Sequence, residues 1–141
     1  MGVPGLAIIL SLLAASTANA HHSYALFDTT RRASVAGTVA KVEWQNPHIN
    51  VWVWVADKSQ PNGYARYLFE SGGLSLLVRM GWTRETLKVG ERFTFDYLPL
   101  KDGRTGGALI SATHADGSVT PGDPGMLRIL NAIANSKPGQ P

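Results

Sequence analysis

The chain has 141 residues, which is room for one domain, and its 44% apolar share is too high for a disordered segment. Thirteen Lys and Arg against ten Asp and Glu leave a net charge of +3 with no basic run, so charge does not point to nucleic acid. The absence of cysteine removes disulfides, thiolate zinc sites, cysteine-ligated clusters and thiol nucleophiles.

Residues 1–20 read as an export signal. Ala7 to Ala15 is a short apolar block that runs into Ala18-Asn19-Ala20, the small-x-small form of a signal peptidase site. Met1 to Pro4 carries no Lys or Arg, a departure from the usual basic start, and an uncleaved anchor is the alternative. Cleavage predicts a periplasmic or secreted protein with no membrane span, beginning at His21 and stable without disulfides. The new terminus is His21-His22-Ser23. An N-terminal histidine can chelate copper(II) through its amine and Nδ1, with His22 or His48 supplying a further nitrogen. The alternative is a terminus that frays in solvent.

Tyr24 to Phe27 then reads as an edge strand or a plug over the core. Ser34 to Trp44 is the first clear strand. Val35, Gly37 and Val39 share one parity and Val42 and Trp44 the other, so a bulge is expected near Ala40-Lys41. Asn46-Pro47 makes a turn. The strand from His48 to Ala56 alternates strictly. Ile49, Val51, Val53 and Val55 form a core stripe, and His48, Asn50, Trp52 and Trp54 share the other face. Tyr64 to Glu70 is a third strand.

Leu74 to Met80 changes to helical spacing, with Gly81 just past its end, and Thr83 is placed to cap a further turn. Lys88 to Glu91 is a tight turn. Phe93, Phe95 and Tyr97 mark a fourth strand, and Ala108 to Ala115 a fifth. Thr120 to Gly125 ends the compact part. Met126, Leu127, Leu130 and Ile133 share one side of a short helix, ahead of a tail expected to be disordered. The domain reading is a signal over 1–20, a barrel over 21–118, and a linker, helix and tail over 119–141. The order predicts a mainly β fold, a five- to six-stranded OB-like barrel with one short helix between strands three and four and a short C-terminal helix. A sandwich is the alternative.

The segments Ala20-His21-His22-Ser23, Gly37-Thr38-Val39, Trp44-x-Asn46-Pro47-His48, Gly81-Trp82-Thr83, Leu87-Lys88-x-Gly90 and Asp102-Gly103-x-x-Gly106-Gly107 occur in one order. Together they resemble a family of small exported bacterial proteins catalogued only as a domain of unknown function. The resemblance runs from the cleavage site to the Ala115-Asp116-Gly117 turn and implies export and a single domain. It implies no ligand.

Each candidate residue has two readings. His48 is either a metal ligand or a cap hydrogen-bonded to a carbonyl of the turn. Asn46 is expected to stabilise that turn through its amide. Trp52 and Trp54, beside Asn50, could form an aromatic platform for a ligand. A patch of that size is otherwise expected to be covered by the N-terminal segment or the C-terminal helix. Trp44 and Trp82 read as core or rim residues, and His114 as the weakest histidine candidate. Glu43 and Glu70 would pair only if neighbouring strands set them on one face. No catalytic residue is predicted. The chain lacks a nucleophile elbow and a His-Glu-x-x-His motif, and the glycines at 103–107 precede no helix that could meet a phosphate.

Two functions follow. One is a periplasmic copper(II)-binding accessory protein using His21, His22 and His48. The other is an adaptor or small-ligand barrel using Asn46, Asn50, Trp52 and Trp54, with an unidentified protein or small-molecule partner and no nucleic acid.

Overall fold

The computed structural model describes residues 24–135. Five strands close a barrel: β1 (Ala33–Glu43), β2 (Asn50–Ala56), β3 (Tyr64–Glu70), β4 (Arg92–Pro99) and β5 (Gly106–Thr113). A sixth, β6 (Val119–Pro121), extends the sheet from β5. The order is β3-β2-β1-β4-β5-β6, and a parallel pairing of β3 with β5 joins the ends into a ring. With α1 (Leu74–Arg79) between β3 and β4, this is the connectivity of an OB-type barrel. It replaces the sandwich alternative.

The interior follows from the alternation. Val51, Val53, Phe69, Phe95 and Leu109 are fully buried in one cluster with Val39, Phe93 and Ala112. Phe69 stacks on Phe95 with ring centres 5.0 Å apart, and Tyr97 tilts against it at the same distance. The expected bulge is present. Val39 pairs with Val53 and Lys41 with Trp52, so Ala40 is the extra residue that bends β1 around the barrel. Gly37 lies where β1 and β2 press together, and a Cβ there would overlap the Val53 side chain.

Helix α1 ends in a paired C-cap. The Trp82 amide donates to the Leu77 carbonyl at 2.9 Å and the Gly81 amide to Val78 at 3.0 Å. Gly81 has φ 93, the left-handed conformation this cap requires. The Trp82 indole N–H then reaches the Pro121 carbonyl at 2.9 Å, tying α1 to β6. Residues 83–87 form a turn instead of the further helical turn expected of Thr83. Its hydroxyl does accept the Glu85 amide.

Strand β5 is buried on both faces, which explains its unbroken small and apolar run. Its outward residues Ala108 and Ile110, with Leu98 of β4, form a second cluster closed by Phe27 and Met126. Tyr24–Leu26 is a single 3₁₀ turn leading to Phe27, so this segment is a plug and not a strand. The C-terminal helix α2 (Pro124–Asn135) supplies Met126, Ile129 and Leu130 to the cluster. Leu127, expected on that side, is 36% exposed.

Plug and helix are joined where the Tyr24 phenol donates to Asp123 at 3.3 Å, while Asp123 caps α2 through the Gly125 amide at 2.8 Å. Burial raises the Tyr24 phenol above its ordinary value, and the Asp123 charge, the hydrogen bond to it and the Glu70 charge act the same way. A group raised on folding stabilises the fold below its unfolded pKa, about 10, and loses that contribution as pH climbs through the folded value. Melting temperature should therefore fall more steeply above pH 10 in the wild type than in Tyr24→Phe. Parallel falls in the two proteins would contradict the Tyr24–Asp123 link.

Candidate functional site

The outer surface of β4 and β5 is covered by Phe27 and α2, whereas among the described residues no such layer covers the outer surface of β1, β2 and β3. Strand register sets its side chains in rows, because directly paired residues point the same way. One row runs Arg92, Thr38, Trp54, Arg66 across four strands. The next runs Lys41, Trp52, Leu68, and the third Glu43, Asn50, Glu70. The surface is thus graded, with guanidinium groups at one end and carboxylates at the other.

Trp54 is 41% exposed and Tyr64, its diagonal neighbour, 54%. With Thr38 and Asn62 they line a groove of about 330 Å³. It adjoins a second, of about 510 Å³, that reaches Gln60, Arg66 and Thr105. Asp and Glu are absent from both linings. Among the described residues neither the plug nor α2 covers Trp54. The plug and α2 pack instead on the apolar strip of β4 and β5. Trp52 is half-buried under the Arg66 guanidinium, 4.4 Å above its ring. Its indole N–H is close enough to help hold the Glu43 carboxyl below the usual range, but it stops short of a well-formed hydrogen bond. The Lys41 ammonium, at 2.7 Å, is the main cause of that lowering, and Asn50 adds a 3.4 Å contact.

The Asn-Pro-His corner lies at the acidic end. Asn46-Pro47 is a cis bond in an exposed bend, and the Asn46 amide makes no hydrogen bond among the described residues, contrary to its expected turn-holding role. His48 does meet a backbone carbonyl, but one beyond β3 and not in its own turn: Nδ1 is 3.1 Å from the Ser71 carbonyl. A carbonyl only accepts, so this bond places the ring proton on Nδ1 and leaves Nε2 facing Glu70 Oε1 at 3.5 Å. Register does set Glu43 and Glu70 on one face, with Asn50 between them.

Of the predicted site residues, the structure brings His48 and Asn50 together at one end and Trp52 and Trp54 along the same strand. His21 and His22 lie outside the described residues, and no group of three or more His, Asp or Glu among the described residues could hold a metal ion. His114 is occupied by Thr120 at 2.7 Å and by the edge of Phe93. Arg66, Arg92 and Tyr64 were missed by the sequence reading, because their meeting with Trp54 depends on the pairing of four strands. The alternation of β2 and β3 alone could have paired Trp54 with Arg66.

No helix among the described residues is long and apolar enough to cross a membrane. No curated protein and no solved structure matches the chain. A family model matches residues 9–110, a span that holds every motif from the Ala-His-His-Ser segment to the Gly106-Gly107 pair. It stops inside β5, before β6 and α2. The chain belongs to the family of unknown function DUF6152.

Proposed function

We propose that this protein is an exported binding barrel that takes its ligand on the outer face of β1, β2 and β3, with Trp54 at the centre. The observation that carries the reading is one exposed indole, in strand register with Arg66 and Arg92, over a groove whose lining of Thr38, Trp54, Asn62 and Tyr64 holds no carboxylate. Small-ligand sites combine apolar and aromatic surface with a few placed polar groups, and this face has that composition. Export is supported by the Ala18-Asn19-Ala20 motif. A small-molecule screen read from backbone amide NMR shifts tests the reading. Hits should move residues 38, 54, 62–66 and 92, and Trp54→Ala should weaken them about tenfold or more, in line with loss of a buried aromatic anchor. Hits that survive Trp54→Ala unchanged would sink it.

A second reading, copper(II) binding, is favoured by the His48 geometry. The Nδ1–H bond to a backbone carbonyl is the support that metal-ligating histidines commonly have. It turns the Nε2 lone pair toward the Glu70 carboxylate, so two acceptors converge, an arrangement closed by a proton or by a metal ion. In this reading the His21 amine and imidazole join His48, with His22 as the alternative nitrogen, and the protein serves a copper or redox system. Protein recovered from the periplasm and shown to begin at His21 should bind one copper(II) with a nitrogen-rich tetragonal EPR signal. Both His48→Ala and one added residue before His21 should abolish it. Binding indifferent to both changes would contradict the copper reading and leave the Trp54 face untouched.

A further inference from the structure

We infer that the Trp54 groove takes a short acidic oligosaccharide, an inference that rests on the binding-face reading above. Arg66 lines the groove beside Trp54 and Arg92 stands two strands from Trp54 in the same row, and neither forms an ion pair among the described residues. The neighbouring cations differ: Arg32 is bound to Asp96, Lys41 to Glu43 and Arg104 to Asp102, each at 2.7 Å. The two guanidinium-bearing positions are three strand spacings apart, about 14 Å. That distance suits carboxylates on different rings of one ligand. Guanidinium groups bind carboxylates in a paired, planar fashion, so the row supplies two acid-recognising ends.

The exposed indole of Trp54 and phenol of Tyr64 offer flat apolar faces on which the C–H face of a sugar ring can lie. Around them are hydroxyl and amide groups of Thr38, Asn62, Gln60 and Thr105, which match sugar hydroxyls. The Asn62 carbonyl oxygen is engaged by the Tyr64 amide, so its NH₂ group is the part left to donate to a ligand. Strands two and three of an OB-type barrel form its ligand face for oligosaccharides and oligonucleotides alike.

A single-stranded nucleic acid needs a cationic groove that follows its backbone. Here Glu43 and Glu70 stand on the same face two rows from Trp54, and a polyanion running along the strands would meet them. A short ligand lying across the strands, from Arg92 to Arg66, avoids both. The geometry therefore favours a saccharide that carries its own carboxylates over a polyphosphate chain.

Calorimetric titration of the full chain with tetragalacturonate tests this, with neutral cellotetraose and an oligothymidylate as comparisons. Tetragalacturonate should bind saturably, and cellotetraose at least about tenfold more weakly. Arg66→Ala and Arg92→Ala should each weaken the acidic ligand about tenfold, consistent with loss of a charge-assisted contact. All three side chains to be altered are exposed, so melting temperatures should stay near wild type. Equal binding of cellotetraose, lost in Trp54→Ala but not in the arginine variants, would overturn the acidic class while leaving the binding face standing. Tighter binding of the oligothymidylate would replace the saccharide with nucleic acid. Absence of tetragalacturonate binding would overturn the inference outright, and the amide-shift screen would then decide the fate of the face itself.

Discussion

Gly106→Ala should destabilise the protein by on the order of 4 kcal/mol, among the largest effects of any single methyl group added to it. The residue has φ 111, and a Cβ built on it would overlap the Leu68 carbonyl across the parallel β3–β5 pairing. That pairing turns an open sheet into a ring, so the clash falls on barrel closure itself. Gly103 provides the control. It too has a positive φ, 81, yet nothing lies within 4 Å of its Cβ position. Gly103→Ala should therefore cost only the backbone term, about 1 kcal/mol. Urea midpoints for the two variants separate the contributions, and equal losses would mean that β3 and β5 do not close as described. The same comparison explains the glycine-rich segment noted in the sequence. Its glycines serve a turn and a tight strand contact.

Phe69→Ala is the second large effect, expected to cost about 3–5 kcal/mol. Phe69 is fully buried, with Phe95 and Tyr97 each 5.0 Å away ring to ring. Its loss would open a cavity between β3 and β4 that neighbouring rings, fixed on opposite strands, cannot collapse to fill. Tyr64, on the same strand but 54% exposed, should cost under about 0.5 kcal/mol when changed to Ala. This pair fixes which face of β3 is inside. Similar losses at the two positions would contradict the register.

Much of this barrel was legible because its strands alternate. Val51, Val53, Phe93, Phe95 and Tyr97 announced both strand and facing, and the parity slip after Val39 announced the bulge. Tyr64–Glu70 was placed with its limits unchanged. Alternation fails where both faces are buried, so β5 gave no hint of which residues met α2 or Phe27. The three-residue β6 was read as the end of the compact part, because two prolines and two glycines hide so short a pairing. In helix α2 the expected Met126 and Leu130 pack as read, but Ile129 takes the place expected of Leu127. The facing of Trp54 was legible. That it stands uncovered was not, since exposure depends on where the plug and α2 dock, and Arg92 reaches its row from a strand about forty residues away.

Trp54 presents an exposed aromatic surface in strand register with Arg66 and Arg92. Paired fluorescence quenching by iodide and caesium at matched ionic strength measures this directly, with Trp54→Phe subtracted to isolate one indole. Iodide should quench the Trp54 component strongly and caesium weakly, and Arg66→Ala with Arg92→Ala should remove the difference. Equal quenching by both ions in the wild type, or a Trp54 component that neither reaches, would contradict that placement.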